Sequence, residues 1–221
     1  MMLSFLLYLY IIVYPFSLLF CLRYLPLRQA IHIPILIAPN VKIGKMKRGR
    51  IVLTKCHRSM VIIGLPGTEG RGQCRSLLSV HHGGKLVFHG SGTMAKGTRV
   101  VVDHGVLEVG EGFFCNCDSS FYCTRHISIG SEALLGWNVN MNTSNGHRVF
   151  DNGVEKPMEG DIHVGCHVWI GSWVNIAKST SIADGCIVAQ SSLVSGVHDT
   201  PNTLIAGMPA KDIKNNYSWK G

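Results

Sequence analysis

Between residues 164 and 194 the sequence repeats every six residues. Each step carries one branched aliphatic residue followed by glycine, alanine or serine, and the aliphatic residues are Val164, Ile170, Ile176, Ile182, Val188 and Val194. A period of six fits neither an α-helix nor an ordinary strand. It is typical of a β-solenoid in which each hexad forms one flat side and three hexads close one coil. The aliphatic residue then points into the core, and the small residue stands at the corner.

Around this repeat the 221 residues divide into segments of different character. We predict a hydrophobic, membrane-associated segment over residues 1–28 and a basic, irregular β region over 29–80. The solenoid is predicted over 81–211, and a short tail follows over 212–221. Within the solenoid, residues 142–162 are polar and lack the repeat. A loop of this length inside a compact array is usually functional.

The N-terminal third joins a hydrophobic segment to all of the excess positive charge. Residues 3–22 carry no charge, and this length is enough for a helix to cross a bilayer. Residues 1–68 contain nine Lys or Arg and no acid, whereas residues 69–221 contain twelve basic and thirteen acidic residues. Basic flanks mark the cytoplasmic side of a membrane and bind anionic lipid. We expect membrane contact through the N-terminus, at the cytoplasmic face of the bacterial inner membrane.

The mode of that contact stays open at this level. Pro15 allows either a kinked spanning helix or a bent segment that enters and leaves one leaflet. The alternative is a hydrophobic helix that only packs on the solenoid or on another subunit. Nucleic acid is not expected as a partner, because no recognisable reading module accompanies the basic stretch.

Two groups of residues could carry chemistry. Cys115, Cys117, Cys123 and His126 do not follow a common zinc spacing, and their positions fit small core residues of a solenoid. His147 lies in the loop that interrupts the array. Histidine is the usual general base near neutral pH, so His147 is a candidate catalytic residue.

Four motifs carry a resemblance to a known family. They are Gly146-His147, V-W-I-G-S at 168–172, V-A-Q-S-S-L-V at 188–194 and P-N-T-L-I-A-G-M-P-A-K at 201–211. Residues 127–211 resemble the hexapeptide-repeat acyltransferases, and within them the branch that O-acetylates sugars and surface polysaccharides. The resemblance implies an all-β chain folded as a left-handed parallel β-helix, with the hydrophobic helical segment before it. The left hand comes from the resemblance alone, because parallel crossovers are ordinarily right-handed.

The resemblance also implies the site. His147 is the base, and the backbone N–H of Ser172 stabilises the oxyanion of the acetyl-CoA thioester. Substrate binding falls to Asn116, Asn145 and Trp169, and the co-substrate acetyl-CoA would be held by Ser172, Lys178, Ala189, Ser191 and Lys211. No metal is expected. The acceptor is a sugar or a lipid-linked glycan, and three subunits form a homotrimer with each site between two of them.

The sequence departs from the family pattern just before the base. Thr143 and Asn145 stand where carboxylates often orient the histidine, and Asp151 is a candidate to replace them. Three other interpretations stay open. One is N-acetylation of an amino sugar nucleotide, and another is a catalytically silent scaffold. The third is a metal-dependent hydratase that uses His126, His163 and His167.

Overall fold

Three parallel sheets form the sides of a prism in the computed structural model, which describes residues 7–65 and 74–220. Side A contains β1 (Ile35–Ile37), β4 (Val61–Ile63), β7 (Gly92–Met94), β10 (Phe113–Cys115), β13 (Leu134–Leu135), β18 (Trp169–Ile170), β21 (Ile187–Val188) and β24 (Leu204–Gly207). Side B contains β2 (Lys42–Met46), β5 (Leu77–His81), β8 (Arg99–Asp103), β11 (Ser120–Cys123), β14 (Asn140–Asn142), β19 (Asn175–Ile176) and β22 (Leu193–Val194). Side C contains β3 (Ile51–Leu53), β6 (Lys85–Phe88), β9 (Val106–Val109), β12 (His126–Ile129), β17 (Ile162–Val164), β20 (Thr180–Ile182) and β23 (Val197–His198).

The chain visits the sides in the order A, B, C, so each set of three successive strands closes one coil. The fifth coil is interrupted between β14 and β17 by an antiparallel hairpin of β15 (Val149–Asp151) and β16 (Val154–Lys156). After the last coil, β25 (Ala210–Lys214) pairs antiparallel with β24. These described strands therefore form a parallel β-helix of seven coils with a turned-back strand at its C-terminal end.

Inward side chains of successive coils lie directly above one another and form the core. On side A, one such column is buried along its whole length and runs through Ile63, Met94, Cys115, Leu135, Ile170, Val188 and Ile205. Two of its members, Ile170 and Val188, are predicted hexad positions. Because the inward side chains of successive coils stack in such columns, each coil buries apolar surface area against both of its neighbours.

The glycines that follow the aliphatic residues lie at tight corners. A Cβ added to Gly130 would come within 2.5 Å of the backbone nitrogen of Cys166 in the next coil. A Cβ added to Gly110 would lie 2.4 Å from the Ser131 nitrogen, and one added to Gly165 would lie 2.7 Å from the Asp184 nitrogen. The small residues of the repeat are therefore required by the approach of one corner to the next.

A helical cap covers the N-terminal end of the β-helix. It contains a π-helical turn at Leu9–Val13, α1 (Tyr14–Tyr24) and α2 (Leu27–Ala30). Ser17 on α1 accepts a hydrogen bond from the Ile37 N–H of β1 at 2.9 Å, and the Cys21 thiol points to the Ile35 carbonyl at 3.6 Å. These contacts cover the open edge of the first strand, which would otherwise expose unpaired backbone groups.

Most of the predicted hydrophobic segment belongs to this helical cap. Pro15 lies in the first turn of α1, where its missing N–H costs no helical hydrogen bond. In the described part of the chain no helix has both the length and the apolar character needed to cross a membrane. Residues 3–6 of the predicted segment lie outside the described residues. One face of the remainder packs on the solenoid through Val13, Phe20 and Cys21, and membrane contact through its other face stays a prediction.

The predicted start of the β-helix at residue 81 is too late in the chain. Strands β1 to β5 already belong to the three sides, so residues 35–80 build the first coil and part of the second. These coils are longer than the regular ones: 26 residues separate Ile37 from Ile63, whereas eighteen separate Ile170 from Val188. Longer corners hide the period of six, and for that reason the repeat is not visible there.

Candidate active site

A cavity of about 480 Å³ lies along the edge between sides A and B, across coils four to seven. Three predicted site residues, Asn116, Trp169 and Ser172, line it together with the predicted Ala189. Its other lining residues are Leu134, Leu135, Gly136, Trp137, Gly171, Ile187, Val188 and Gln190.

Ser172 is held firmly at the centre of this edge. Its hydroxyl accepts a hydrogen bond from the Trp137 N–H at 3.1 Å, and its carbonyl accepts one from the Ser191 N–H at 2.9 Å. Within residues 7–65 and 74–220, the Ser172 N–H itself meets no acceptor. A fixed and unsatisfied N–H at the wall of a cavity is the arrangement that stabilises a developing oxyanion.

Trp137 and Gln190 line the cavity but were not predicted from the sequence. In the parallel register, Leu135 pairs with Ile170 and Ile170 with Val188. Trp137, Ser172 and Gln190 each lie two residues after one of these paired residues, so they stack along the same corner. Counting the same offset from every repeat position would have identified both residues from the sequence.

His147 lies on a different edge of the prism. The loop that carries it leaves β14 on side B and returns through β17 on side C, and His147 is exposed and does not line the cavity. Two local hydrogen bonds shape the turn before it: the Asn142 amide oxygen accepts the Ser144 N–H at 3.0 Å, and the Ser144 hydroxyl accepts the Gly146 N–H at 3.0 Å. One subunit alone therefore does not bring His147 to Ser172.

The residues expected to support His147 have other roles in the structure. Thr143 is fully buried, and its hydroxyl accepts the Thr124 N–H at 2.8 Å, so it anchors the loop to the fourth coil. Asn145 is exposed at the base of the hairpin, where its N–H donates to the Met158 carbonyl. Asp151 forms an ion pair with Lys156 at 2.9 Å across the hairpin. Asp151 as the group that orients His147 therefore stays a prediction, with one of its carboxylate oxygens engaged by Lys156.

The predicted coenzyme-binding residues divide into two groups. Ala189 and Ser172 line the cavity. Ser191 lies just beside it, where its N–H donates a hydrogen bond to the Ser172 carbonyl. Lys178 follows β19 at the next corner of the sixth coil, and Lys211 is exposed on β25. Neither lysine lines the cavity, so within one subunit both lie outside its walls.

The C-terminal tail folds back towards the cavity instead of leaving the solenoid. The Trp219 indole stacks on the His167 ring with centroids 4.3 Å apart and donates its N–H to the His167 carbonyl at 2.9 Å. Its ring centroid also lies 6.1 Å from that of Trp169. Trp169, which is 40% exposed, thus stands between the cavity and an aromatic pair that the sequence did not predict.

Of the three histidines proposed for a hydratase, His126 and His163 lie edge to face with ring centroids 5.6 Å apart, and His167 stacks elsewhere, on Trp219. His126 bonds to Glu108 at 2.6 Å, and His163 bonds to the Ser128 hydroxyl at 2.8 Å. Within residues 7–65 and 74–220, these three histidines therefore do not form a group of three possible metal ligands.

The cysteine cluster is core, as predicted. Cys115, Cys117 and Cys123 are completely buried in the described structure. Burial raises the pKa of the Cys115 thiol to about 12, so this sulfur stays protonated and apolar at neutral pH. The prediction that these cysteines pack the core is confirmed.

Comparison with known proteins identifies the class. The chain is 33% identical over 186 residues to an "uncharacterized 24.8 kDa protein in cps region" of Klebsiella pneumoniae, covering 84% of this chain and 81% of that one. It is 29% identical over 143 residues to polysialic acid O-acetyltransferase of Escherichia coli O1:K1, covering 63% of this chain and 43% of the relative. Galactoside O-acetyltransferase of Escherichia coli K12 matches at 27% over 113 residues, 49% of this chain and 53% of the relative.

The chain therefore spans about half the length of these two named enzymes, although it spans most of the Klebsiella protein. Among solved structures, the polySia-specific acetyltransferase NeuO superimposes with a TM-score of 0.49 at 21% identity, covering 85% of this chain and 84% of NeuO. No family model matches the chain.

The named relatives that match the chain are acetyltransferases, so this β-helix protein is an enzyme of the acyl-transferring class. The chain belongs to the hexapeptide-repeat acyltransferases. The predicted fold class, a left-handed parallel β-helix with a short N-terminal helical segment, is confirmed.

Proposed function

We propose that this protein transfers an acetyl group from acetyl-CoA to a hydroxyl of a sugar in a surface polysaccharide or its lipid-linked precursor. The observation that carries the proposal is the Ser172 N–H, fixed and without an acceptor in the described structure, on the wall of a cavity of about 480 Å³. The named relatives that O-acetylate polysialic acid and galactosides support the choice of acceptor class. An acceptor amine is the alternative chemistry at the same site.

The reaction follows from the two groups. His147 takes the proton from the acceptor hydroxyl while that oxygen attacks the thioester carbonyl carbon. The carbonyl oxygen, on which the negative charge forms, accepts a hydrogen bond from the Ser172 N–H. The carbon–sulfur bond then breaks, and the protonated imidazole returns its proton to the leaving thiolate. Asn116 and Trp169 line the cavity where the acceptor and the thioester would meet, and Lys178 and Lys211 would meet the coenzyme phosphates from a neighbouring subunit.

A homotrimer would complete the site. His147 lies on the edge between sides B and C, and the cavity lies on the edge between sides A and B. Packing three prisms around a threefold axis would bring the edge between sides B and C of one subunit against the edge between sides A and B of the next. Each site would then combine His147 of one subunit with the Ser172 cavity of the next.

Release of free thiol from acetyl-CoA tests the proposal. The full-length protein is expected to release thiol when a polysaccharide acceptor is present, and to release little without one, because the acceptor oxygen is the attacking atom. The assay compares capsular polysaccharides with amino sugar nucleotides at equal concentration. Thiol release only with an amino sugar nucleotide would favour N-acetylation, and the absence of release with every acceptor would favour a scaffold.

The helical cap supports a location at an anionic membrane surface. Its outward side exposes Tyr10, Ile11, Leu19, Leu27 and Ile31, each more than 60% accessible. Basic residues lie at its end: the Arg48 guanidinium bonds to the Arg23 carbonyl at 3.2 Å, and no acid occurs before residue 69. An apolar helix face beside cations binds an anionic bilayer surface without crossing it. We place the cap on the cytoplasmic face of the inner membrane.

This placement also fits a lipid-linked acceptor. Five strand-to-strand steps separate β1, beneath the cap, from β18 at the cavity. At about 4.8 Å per step, the cavity stands roughly 24 Å from the first coil. A glycan attached to a membrane lipid could reach that height with several sugar units, whereas its first sugar could not.

Vesicle binding is expected to depend on the cap. Leu19→Glu combined with Leu27→Glu should lower partition onto vesicles of phosphatidylcholine and phosphatidylglycerol at least about tenfold, since each leucine contributes about 1.5–3 kcal/mol when buried. Val197→Glu is the matched control, because Val197 is 71% exposed on the seventh coil, far from the cap. Co-sedimentation measures the partition. Equal partition of the double variant and the control would contradict the placement.

A further inference from the structure

Three histidines and one aspartate meet where side B turns towards side C in the second and third coils. His81 ends β5 and Asp103 ends β8, and the two residues pair in register. His82 and His104 follow them, and both have left-handed backbone conformations with φ of 47° and 51°. This conformation is uncommon outside glycine. It turns each corner so that both following imidazoles point back at the Asp103 carboxylate.

The ligand atoms of this corner are close together. Asp103 Oδ1 lies 2.7 Å from His82 Nδ1, 3.3 Å from His104 Nδ1 and 3.4 Å from His81 Nδ1. The Nδ1 atoms of His81 and His82 are themselves 3.0 Å apart. Four ligands at about 2.0–2.1 Å from a tetrahedral ion are spaced about 3.3 Å from one another. The separations among His81, His82 and Asp103 lie around that value, whereas among these residues His104 approaches only Asp103.

Protons alone satisfy this arrangement poorly. Three ring nitrogens compete for a single carboxylate oxygen, and a neutral imidazole carries only one N–H. Between His81 Nδ1 and His82 Nδ1 one proton at most can form a hydrogen bond, while both nitrogens also face the same oxygen. A cation among them would accept the lone pairs of the nitrogens and the charge of the carboxylate together.

A second histidine–carboxylate group provides the contrast. On side C, His89 bonds to Oε2 of Glu108 at 2.9 Å, and His126 bonds to Oε1 of the same residue at 2.6 Å. Each imidazole there has its own oxygen, so ordinary hydrogen bonds satisfy the group. Within residues 7–65 and 74–220, only His81, His82 and Asp103 bring three possible ligand atoms within 4.8 Å of one another.

We propose that His81, His82 and Asp103 bind a divalent transition-metal ion of the zinc class. Two imidazole nitrogens and one carboxylate oxygen are donors that Zn²⁺ accepts, and water would take the fourth position of a tetrahedral ion. The ion would tie the end of β5 to the end of β8 across the second and third coils.

The surroundings set a limit on the affinity. Lys45, Lys47 and Arg50 line a cavity of about 410 Å³ beside His81 and His82. Their charges repel a cation, and water screens that repulsion because His82 is exposed. The same cations could instead attract an anion such as phosphate, so the experiment must separate the two.

The test measures metal binding by the full-length, untagged protein after removal of metal with a chelating resin. Titration calorimetry with Zn²⁺ is expected to show one ion per chain, and saturating Zn²⁺ should raise the Tm until EDTA reverses the rise. His82→Ala and Asp103→Asn should each weaken Zn²⁺ binding at least about tenfold, because even residues behind the ligands contribute 10- to 100-fold. Glu108→Gln is the control and should bind Zn²⁺ as the wild type does.

Two outcomes would overturn the proposal. One is Zn²⁺ binding that His82→Ala and Asp103→Asn leave unchanged while Glu108→Gln weakens it. The other is a Tm that inorganic phosphate raises and Zn²⁺ does not. Because His82 is exposed, its alanine variant should fold, and circular dichroism verifies this before each titration.

Discussion

Replacing His147 by alanine is expected to lower kcat for acetyl transfer about 10²–10⁴-fold, the usual contribution of a general base. The imidazole is exposed and supports no packing, so the variant should keep the wild-type Tm. His57→Ala is the matched control, since His57 is also exposed but lies in the first coil. Steady-state thiol release gives kcat, and a thermal melt gives the Tm. Unchanged kcat in the His147 variant would remove this residue from the reaction.

Mixing two inactive variants tests whether the site is shared between subunits. Ala189→Trp fills the cavity but keeps His147, and His147→Ala keeps the cavity. If the base and the cavity come from different subunits, refolding the two together at equal amounts restores roughly a quarter of the wild-type rate by random assembly. Sites formed within one subunit would give no restoration.

Gly130→Ala is expected to destabilise the β-helix by about 1–3 kcal/mol, the cost of overpacking a tight contact. The new Cβ would lie 2.5 Å from the Cys166 nitrogen and 2.6 Å from the Gly165 carbonyl carbon, both of them backbone atoms that cannot move aside alone. The free energy of unfolding in urea measures the effect. For a chain of this size, the Tm should fall by about 2–4 °C for each kcal/mol.

Gly92→Ala is the control for this change. Gly92 is buried in β7, but the nearest atom to its added Cβ is Phe88 Cδ1 at 3.5 Å, an ordinary contact. This variant should therefore keep a free energy of unfolding close to that of the wild type. Equal losses in Gly92→Ala and Gly130→Ala would mean that corner approach between coils is not what requires glycine.

The repeat predicted the coils where it is regular and missed them where it is not. Val164 to Val194 keep one hexad per side, so sequence spacing equals structural register. In earlier coils, 21 residues separate Met94 from Cys115 and 20 separate Cys115 from Leu135. Extra residues at the corners shift the phase of the pattern, and sulfur-containing residues replace branched aliphatic ones in the core. Both changes leave the fold intact and weaken its signal in the sequence.

The resemblance to the hexapeptide-repeat acyltransferases predicted part of the site. Ser172, Ala189 and Trp169 came from that resemblance, and all three line one cavity because they lie in regular coils. The contact of Trp219 with His167 depends on how the tail folds back, which no local pattern encodes. The meeting of His82 and His104 at Asp103 depends on stacking two irregular corners, so it was visible only in three dimensions.

Transfer of labelled acetyl groups is the measurement that tests the proposed function most directly. The protein is incubated with [acetyl-¹⁴C]acetyl-CoA and a capsular polysaccharide, and the label in the polymer is counted before and after mild alkali. We expect the wild-type protein to introduce label into the polymer and His147→Ala to introduce none. Mild alkali should remove this label, because an ester bond holds the acetyl group. Label that resists alkali would indicate an amide and N-acetylation, and a polymer without label in the presence of active, folded protein would contradict acetyl transfer to a glycan.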